Sequence, residues 1–421
     1  MKVSIIVPVW NGYAYLPACL DALLAQDCAD FEVIAVDNAS TDGSADLVAD
    51  SYSQVRLIRN RRNMGFAGGC NVGLQAAQGN VLVLLNQDTI ARPGWLRSLV
   101  RALQEPRTGI VGCKILYPDG ITIQHAGGWI QWPLGLSYHY GQGEQDIGQW
   151  DVPRAVEYVT GAAMAFRRDV LDRVGSLDQD FRPGYYEDTD FCFRAREAGY
   201  EIWYSPDAIL VHEETTSLTD PMAISRAYQR GRMRFVLKHM PPQRFLAEFV
   251  PAEKDYQLLA IQGPEGDSLR IVYLETIPAA VRLLNHHWQA DETTIDEVVT
   301  AFQLLYHSPP PVQPLSFAPP LQEFEFQSTV PVIGPLIARF RSFWYGVGAR
   351  WAVRYLIQQQ EAINRRQEAI NRQQAMVLHS LERRLRTENA FLAQEIARLI
   401  LQSDPDEGQS RLPERKGQEH E

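Results

Sequence analysis

Asp37, Asp88, Asp188 and His212 are the side chains of this sequence best suited by type and position to acid–base or metal chemistry. Asp88 ends the run Leu84-Leu85-Asn86-Gln87-Asp88, which leaves the apolar stretch Val81 to Leu85. A carboxylate delivered to the end of a buried strand suits a cation or phosphate, although it is also an ordinary loop residue. Asp37 ends Val33 to Val36 in the same way. Asp188 lies in Tyr185-Tyr186-Glu187-Asp188-Thr189-Asp190-Phe191, where a helix opens that ends at Gly199. It shares a helical face with Phe191, Cys192 and Ala195, so its carboxylate is expected to point inward without a local cation. Such an acid caps its helix or acts as a base. Asp190 stands four residues before Arg194, the spacing of a salt bridge. His212 closes Ile209-Leu210-Val211-His212, either as a structural histidine or as a ligand.

The elements that must position these groups alternate. Val3 to Val9 reads as a strand, Asn11-Gly12 as a turn, and Leu16, Leu20, Leu23 and Leu24 as one side of a helix. Val33 to Val36 and Val55 to Ile58 are strands that end in Asp37 and Asn60. A helix from about Phe66 stops at Gly79, before the strand that delivers Asp88. This alternation predicts an α/β fold whose ligands lie beyond the carboxyl ends of the strands. The Gly- and aromatic-rich stretch Tyr117 to Asp151 reads as a substrate-shaping loop rather than a regular element.

The first turn, Pro8-Val9-Trp10-Asn11-Gly12, lacks the G-x-G-x-x-G of a dinucleotide site and the Gly- and Arg-rich loop of a nucleotidyltransferase. Hydride chemistry is therefore not expected. Met64-Gly65-Phe66-Ala67-Gly68-Gly69 is either a phosphate cradle at a helix start or a set of glycines for close helix packing.

Over roughly Val3 to Met240 the chain resembles glycosyltransferase family 2, the inverting, nucleotide-sugar-dependent enzymes of the GT-A fold. The resemblance rests on Val3 to Gly12, on Val36-Asp37-Asn38-Ala39-Ser40-Thr41-Asp42-Gly43-Ser44, and on Asn63-Met64-Gly65-Phe66-Ala67 with Asn71. It continues through Leu85-Asn86-Gln87-Asp88, Thr160-Gly161-Ala162, Glu187-Asp188-Thr189-Asp190 and Val211-His212. Asn86 in place of a first aspartate is similar to the rhamnosyltransferase-like branch that builds O-antigen and other surface polysaccharides. The resemblance implies a Rossmann-like, mixed and mostly parallel sheet with helices on both faces.

It also implies site roles. Asp88 and His212 would hold Mn²⁺ or Mg²⁺ against the donor diphosphate, with Asn86 beside them, and Asp188 would be the base for the acceptor hydroxyl. Asp37 would read a pyrimidine, with Pro8, Asn11 and Asn63 lining the same pocket; Asp42 is weaker, and caps the next helix. With one carboxylate in the Asn86 motif, the metal should arrive largely with its nucleotide. The implied donor is a nucleotide sugar, with dTDP-rhamnose suggested by the branch, and the acceptor a glycan on a lipid carrier. An inactive scaffold for polysaccharide assembly is the alternative, disfavoured because Asp37, Asp88, Asp188 and His212 are all present.

The 421 residues, 45% hydrophobic with five scattered cysteines, suit one large core with appendages in a reducing compartment. A net charge of −11 argues against nucleic acid as partner. With the first strand at residue 3 and no long apolar run, the reading expects a cytoplasmic protein without a signal peptide, held peripherally on the inner membrane face.

The expected organisation is a catalytic domain over 1–240, an extension over 241–327, an amphipathic helix over 328–360, a coiled-coil-like helix over 361–402 and a charged tail over 403–421. In the extension, Leu269 to Leu274 reads as a strand, Thr294 to Tyr306 as a helix and Pro309 to Pro320 as a linker. Aromatic and apolar residues interleaved with arginines over 331–360 suit either an interfacial membrane helix or a docked one. Over 361–402, Ile363, Ile370 and Val377 and then Leu378, Leu385, Leu392 and Leu399 recur at sevens. That spacing suits self-association or a single solvated helix.

Overall fold

Apolar runs punctuated by glycine and asparagine turns form the strands and helices of the first quarter of the chain. In order these are β1 (Val3–Val9), α1 (Leu16–Leu24), β2 (Phe31–Asp37), α2 (Ser44–Ser51), β3 (Val55–Arg59), α3 (Gly65–Ala76) and β4 (Val81–Leu85). They continue as β5 (Thr89–Ala91), α4 (Trp95–Ala102), β6 (Thr108–Leu116), β7 (Ile123–His125), β8 (Gly128–Gln131), β9 (Leu136–His139), β10 (Arg154–Ala155) and β11 (Ala163–Arg167). Then come α5 (Arg168–Val174), α6 (Glu187–Glu197), β12 (Glu201–His212) and α7 (Pro221–His239). The computed structural model describes residues 2–28, 30–213, 220–260 and 264–307. The chain divides into two compact units, Met1–Pro309 and Pro310–Glu421, and the described residues lie in the first. The expectations for the linker, the amphipathic helix, the coiled coil and the tail fall outside the described residues.

The main sheet runs β10-β12-β6-β11-β4-β1-β2-β3, with β5 paired to β12 and β7 to β6. β1 is parallel to β2 and β4, and β2 to β3, so these strands all end at one edge. β11 enters antiparallel between β4 and β6, while β12 is parallel to β6. The sheet is thus mixed and mostly parallel, as expected. Both faces are covered: Val3, Ile5 and Val7 meet residues of α1 and α4, and Ile6 joins Cys70, Leu74 and Phe191 of α3 and α6 on the other side. The period of two along β1 explains the division.

Three expectations need correction. The stretch Tyr117 to Asp151 is not one irregular loop, because it contains β7 and the hairpin β8–β9, held by cross-strand pairs such as Trp129 with Tyr138. Ile209 to His212 is not a short strand but the end of β12. The polar residues of Glu201 to Asp207 conceal its length, and its register on β6 slips where Ser205 pairs with Cys113 and Ile209 with Lys114. Leu269 to Leu274 is not a strand but part of the helix Pro264–His286.

Beyond α7, α8 (Pro242–Arg244) passes through a π turn into α9 (Val250–Ala260), followed by α10 (Pro264–His286) and α11 (Glu292–His307). Leu269, Val272 and Tyr273 are buried at helical spacing, which is why a short apolar run here mimics a strand. The segment belongs to the same unit as the sheet, with no break in packing at residue 240. Arg232 of α7 and Glu253 of α9 are fully buried and paired at 2.6 Å, and Arg232 also donates to the Leu134 carbonyl in the β8–β9 hairpin at 2.8 Å. Removing one member of such a pair leaves an uncompensated charge, so it locks these helices to the hairpin.

Candidate active site

The carboxyl edge of β1 to β4 is stitched together loop by loop. Asn11 takes a left-handed backbone (φ 49°) and its Oδ1 accepts from the Thr41 amide at 2.8 Å. The Gln87 side chain accepts from the Trp10 amide at 3.0 Å and donates to the Trp10 carbonyl at 3.1 Å, tying the loop after β4 to the loop after β1. Asp37 is buried and accepts from the Ser40 amide at 3.2 Å. Asp42 accepts from the amides of Tyr13 and Ser44 and so ties the start of α2 to the first loop, but Gly43 and not Asp42 stands at the cap position. Asn63 accepts from the Gly65 amide at 2.7 Å and starts α3, and Pro8 is buried within β1.

The glycines of α3 serve packing. A Cβ on Gly69 would stand 2.6 Å from Asn38 Nδ2, and one on Gly73 would stand 2.3 Å from Ile6 Cγ2. The helix therefore lies against β1 and β2 at a distance only glycine permits.

Asp88 and His212 meet at the same edge. β5 and β12 pair with His212 opposite Thr89, which sets the imidazole beside the carboxylate: Nε2 lies 3.3 Å from Asp88 Oδ1, and both residues are buried. Asn86 Nδ2 lies 3.3 Å from the same Nε2. On the other ring nitrogen, Nδ1 lies 2.8 Å from Gln124 Oε1. An amide oxygen accepts only, so Nδ1 donates to Gln124, and Nε2 is the ring nitrogen that faces Asp88 and Asn86. A carboxylate oxygen and an imidazole nitrogen brought together in this way are donor types that suit a divalent cation. Among the described residues no cluster of three or more His, Cys, Asp or Glu is placed to hold a metal, so this pair falls short of a closed protein site.

Asp188 stands one strand away. The Asn86 amide donates to the Ala162 carbonyl at 3.0 Å, and the neighbouring Gly161 amide donates to Asp188 Oδ2 at 2.6 Å. The other carboxylate oxygen accepts from the Thr189 amide at 2.6 Å. Asp188 is half-buried, not pressed among apolar neighbours as expected, and its partners are one amide from the loop before β11 and one at the helix start. Tyr185 and Tyr186 precede it with left-handed backbones (φ 74° and 71°). Non-glycine residues held so cost on the order of 1 kcal/mol each. The Tyr186 hydroxyl, which donates to the Gly135 carbonyl at 2.7 Å and accepts from the Ser137 amide at 3.2 Å, holds that turn against the hairpin.

The buried acids of α6 are instead Glu187 and Asp190. Asp190 is fully buried and pairs with Arg194 and Lys238 at 2.8 Å and with His239 at 3.0 Å. Burial alone would raise its pKa, but the His239 bond and these cations hold it well below the usual range. The Arg194 partnership is the one the i,i+4 spacing predicts; Lys238 and His239 come from α7, which no local pattern reveals. Burial would lower His239, yet its bonds to Asp190 and Glu197 leave it raised. Glu187 has no such company: burial first, then the Asp188 charge, push its carboxyl up to about 8.

The sequence profile described as Glycosyl transferase family 2 matches residues 4–175. This domain belongs to glycosyl transferase family 2. The match covers Asp37, Asn86 and Asp88, whereas Asp188 and His212 lie beyond its end. An uncharacterized protein, y4gI, of Sinorhizobium fredii is 31% identical over 51% of this chain and 25% of its own length. The O-antigen biosynthesis protein RfbC of Myxococcus xanthus is 31% identical over 51% of this chain and 18% of its own. The chain thus spans a quarter or less of either relative. A crystal structure of GalNAc-T7 with UDP, GalNAc and Mn²⁺ is 16% identical over 56% of this chain and 47% of its own, with a TM-score of 0.46. Among the described residues no helix is long and apolar enough to cross a membrane.

Gln87, Gly161 and Glu187 stand in the sequence motifs without a role of their own, and Gln124 stands in none. Gln124 sits 88 positions before its partner His212, and only the sheet brings them together.

Proposed function

We propose that the family 2 domain is an inverting glycosyltransferase that moves a sugar from a nucleoside diphosphate to a hydroxyl of a surface glycan on a lipid carrier. The observation that carries this reading is the Asp88–His212 pair at the strand edge, with Asp188 anchored one strand away. The donor set fits a hard divalent ion, Mn²⁺ or Mg²⁺, completed by oxygens of the nucleotide. When bound, such an ion would supply Lewis-acid stabilisation of a departing diphosphate.

The protein's own groups do the rest. Gln124 fixes the His212 tautomer through Nδ1, and Asn86 steadies the ring from the other side. Asp188 takes the proton of the acceptor hydroxyl as that oxygen forms its bond to the anomeric carbon. The amides of Gly161 and Thr189 aim its carboxylate meanwhile. Asp37 accepts from the N3–H of a pyrimidine, in a pocket shaped by Pro8, Asn11 and Asn63. RfbC, a relative over half of this chain, supports a surface-polysaccharide product, and dTDP-rhamnose is the first donor to test. Residues 331–360 would meet the membrane and 361–402 would self-associate.

A thermal-shift panel of nucleoside diphosphates with and without Mn²⁺ tests the reading. A ligand at about a hundred times its dissociation constant adds roughly 2.7 kcal/mol. The expected result is a Mn²⁺-dependent shift that Asp88→Ala loses; an equal shift in the variant contradicts the metal assignment.

A further inference from the structure

Helix α6 begins with two acids whose surroundings differ, and only Asp188 has a use in the proposed reaction. Glu187 is 6% exposed, and its Oε2 has no hydrogen-bond partner among the described residues. The titratable groups that face it are Asp188 and Asp190 on its own helix and the buried Cys70 on α3. Among the described residues no cation answers it. Arg194, Lys238 and His239 are taken by Asp190, and Arg182, from the loop before the helix, is exposed and donates to the Asn63 carbonyl.

A buried carboxyl without a cation, beside a second carboxylate, keeps its proton, because two adjacent buried charges would repel in a low dielectric. We propose that Glu187 and Asp188 are a one-proton pair, in which Glu187 holds the proton, Asp188 holds the charge, and Glu187 thereby acts as a positioning residue for the base. The inference rests on the reading of Asp188 as that base. During transfer the acceptor O–H breaks and an Asp188 O–H forms, so the pair passes from one proton to two and returns to one by releasing a proton to water.

The pair also has a pH signature, since its second ionisation belongs to both residues. The folded Glu187 pKa lies above its unfolded value of 4.5, at about 8. The native state therefore binds more protons than the unfolded chain between those values, and stability falls as pH rises through that window. An ionised Glu187 would place a second negative charge beside the base, which predicts an alkaline limb in the rate profile.

Difference infrared spectroscopy of the full chain, without substrate, is the test. The expected result is the carbonyl band of a protonated carboxylic acid at pH 6.5, lost with a midpoint near 8 and absent from Glu187→Gln. Should that variant fail to fold, Asp188→Asn tests the same coupling: removing the neighbouring charge moves the midpoint down. No such band at pH 6.5, or an unmoved midpoint in Asp188→Asn, overturns the pair. If the band behaves as expected but no nucleotide sugar is turned over, the pair stands and the glycosyltransferase reading fails.

Discussion

Across β1 to β4, site residues are held by hydrogen bonds between neighbouring loops, as in Asn11 with Thr41 and Gln87 with Trp10. From β6 to β12 they are held by a few partners each, drawn from other elements, as in Gln124 with His212 and Gly161 with Asp188. The first half shares its load among several backbone amides. The second concentrates its chemistry on two side chains, Asp188 and His212, so one substitution there should remove a whole function.

Asp188→Asn offers the largest test of that contrast. It keeps the shape and removes the base, so transfer should fall by about a hundred- to ten-thousand-fold while nucleoside diphosphate binding persists. Steady-state rates beside calorimetric affinity check it, and equal losses in both would mean that the two halves do not act separately. Next is Gln124→Leu, which frees the His212 tautomer. Losses in metal affinity of about 10- to 100-fold are typical when such an outer partner goes, measurable by titrating Mn²⁺ in the presence of a nucleoside diphosphate. The smallest effect is expected in the first half: Asn11→Ala removes one shared hydrogen bond at a left-handed residue, costing about 1 kcal/mol in urea unfolding. If it instead abolished nucleotide binding, the shared-load description of that half would be wrong.

The same division decides what was legible in the sequence. β1 to β4, their intervening helices and the strand-end placement of Asp37 and Asp88 follow from apolar period and turn residues, which are local signals. β12 was seen only at its apolar end, and the hairpin β8–β9 was taken for a loop because glycines and aromatics dominate it. Asp190 with Arg194 was readable as an i,i+4 pair; its Lys238 and His239 partners were not, since they come from another helix. The inward burial expected of Asp188 belongs to its neighbour Glu187, a difference of one residue at a helix start that periodicity does not resolve.

The slip in β12 has a consequence for how this sheet can change. Pairing resumes at Ile209, and the last residues of the strand are fixed on both sides, against β6 and against β5. Moving a strand by one position exchanges its faces, so the direction of the imidazole depends on that final stretch alone. Residues 206–208 have no partner on β6, which is where the register shifts. A one-residue insertion or deletion after Ile209 would turn the ring to the opposite face. The two ends of β12 are therefore registered separately, one against β10 and β6 and the other against β5 and β6.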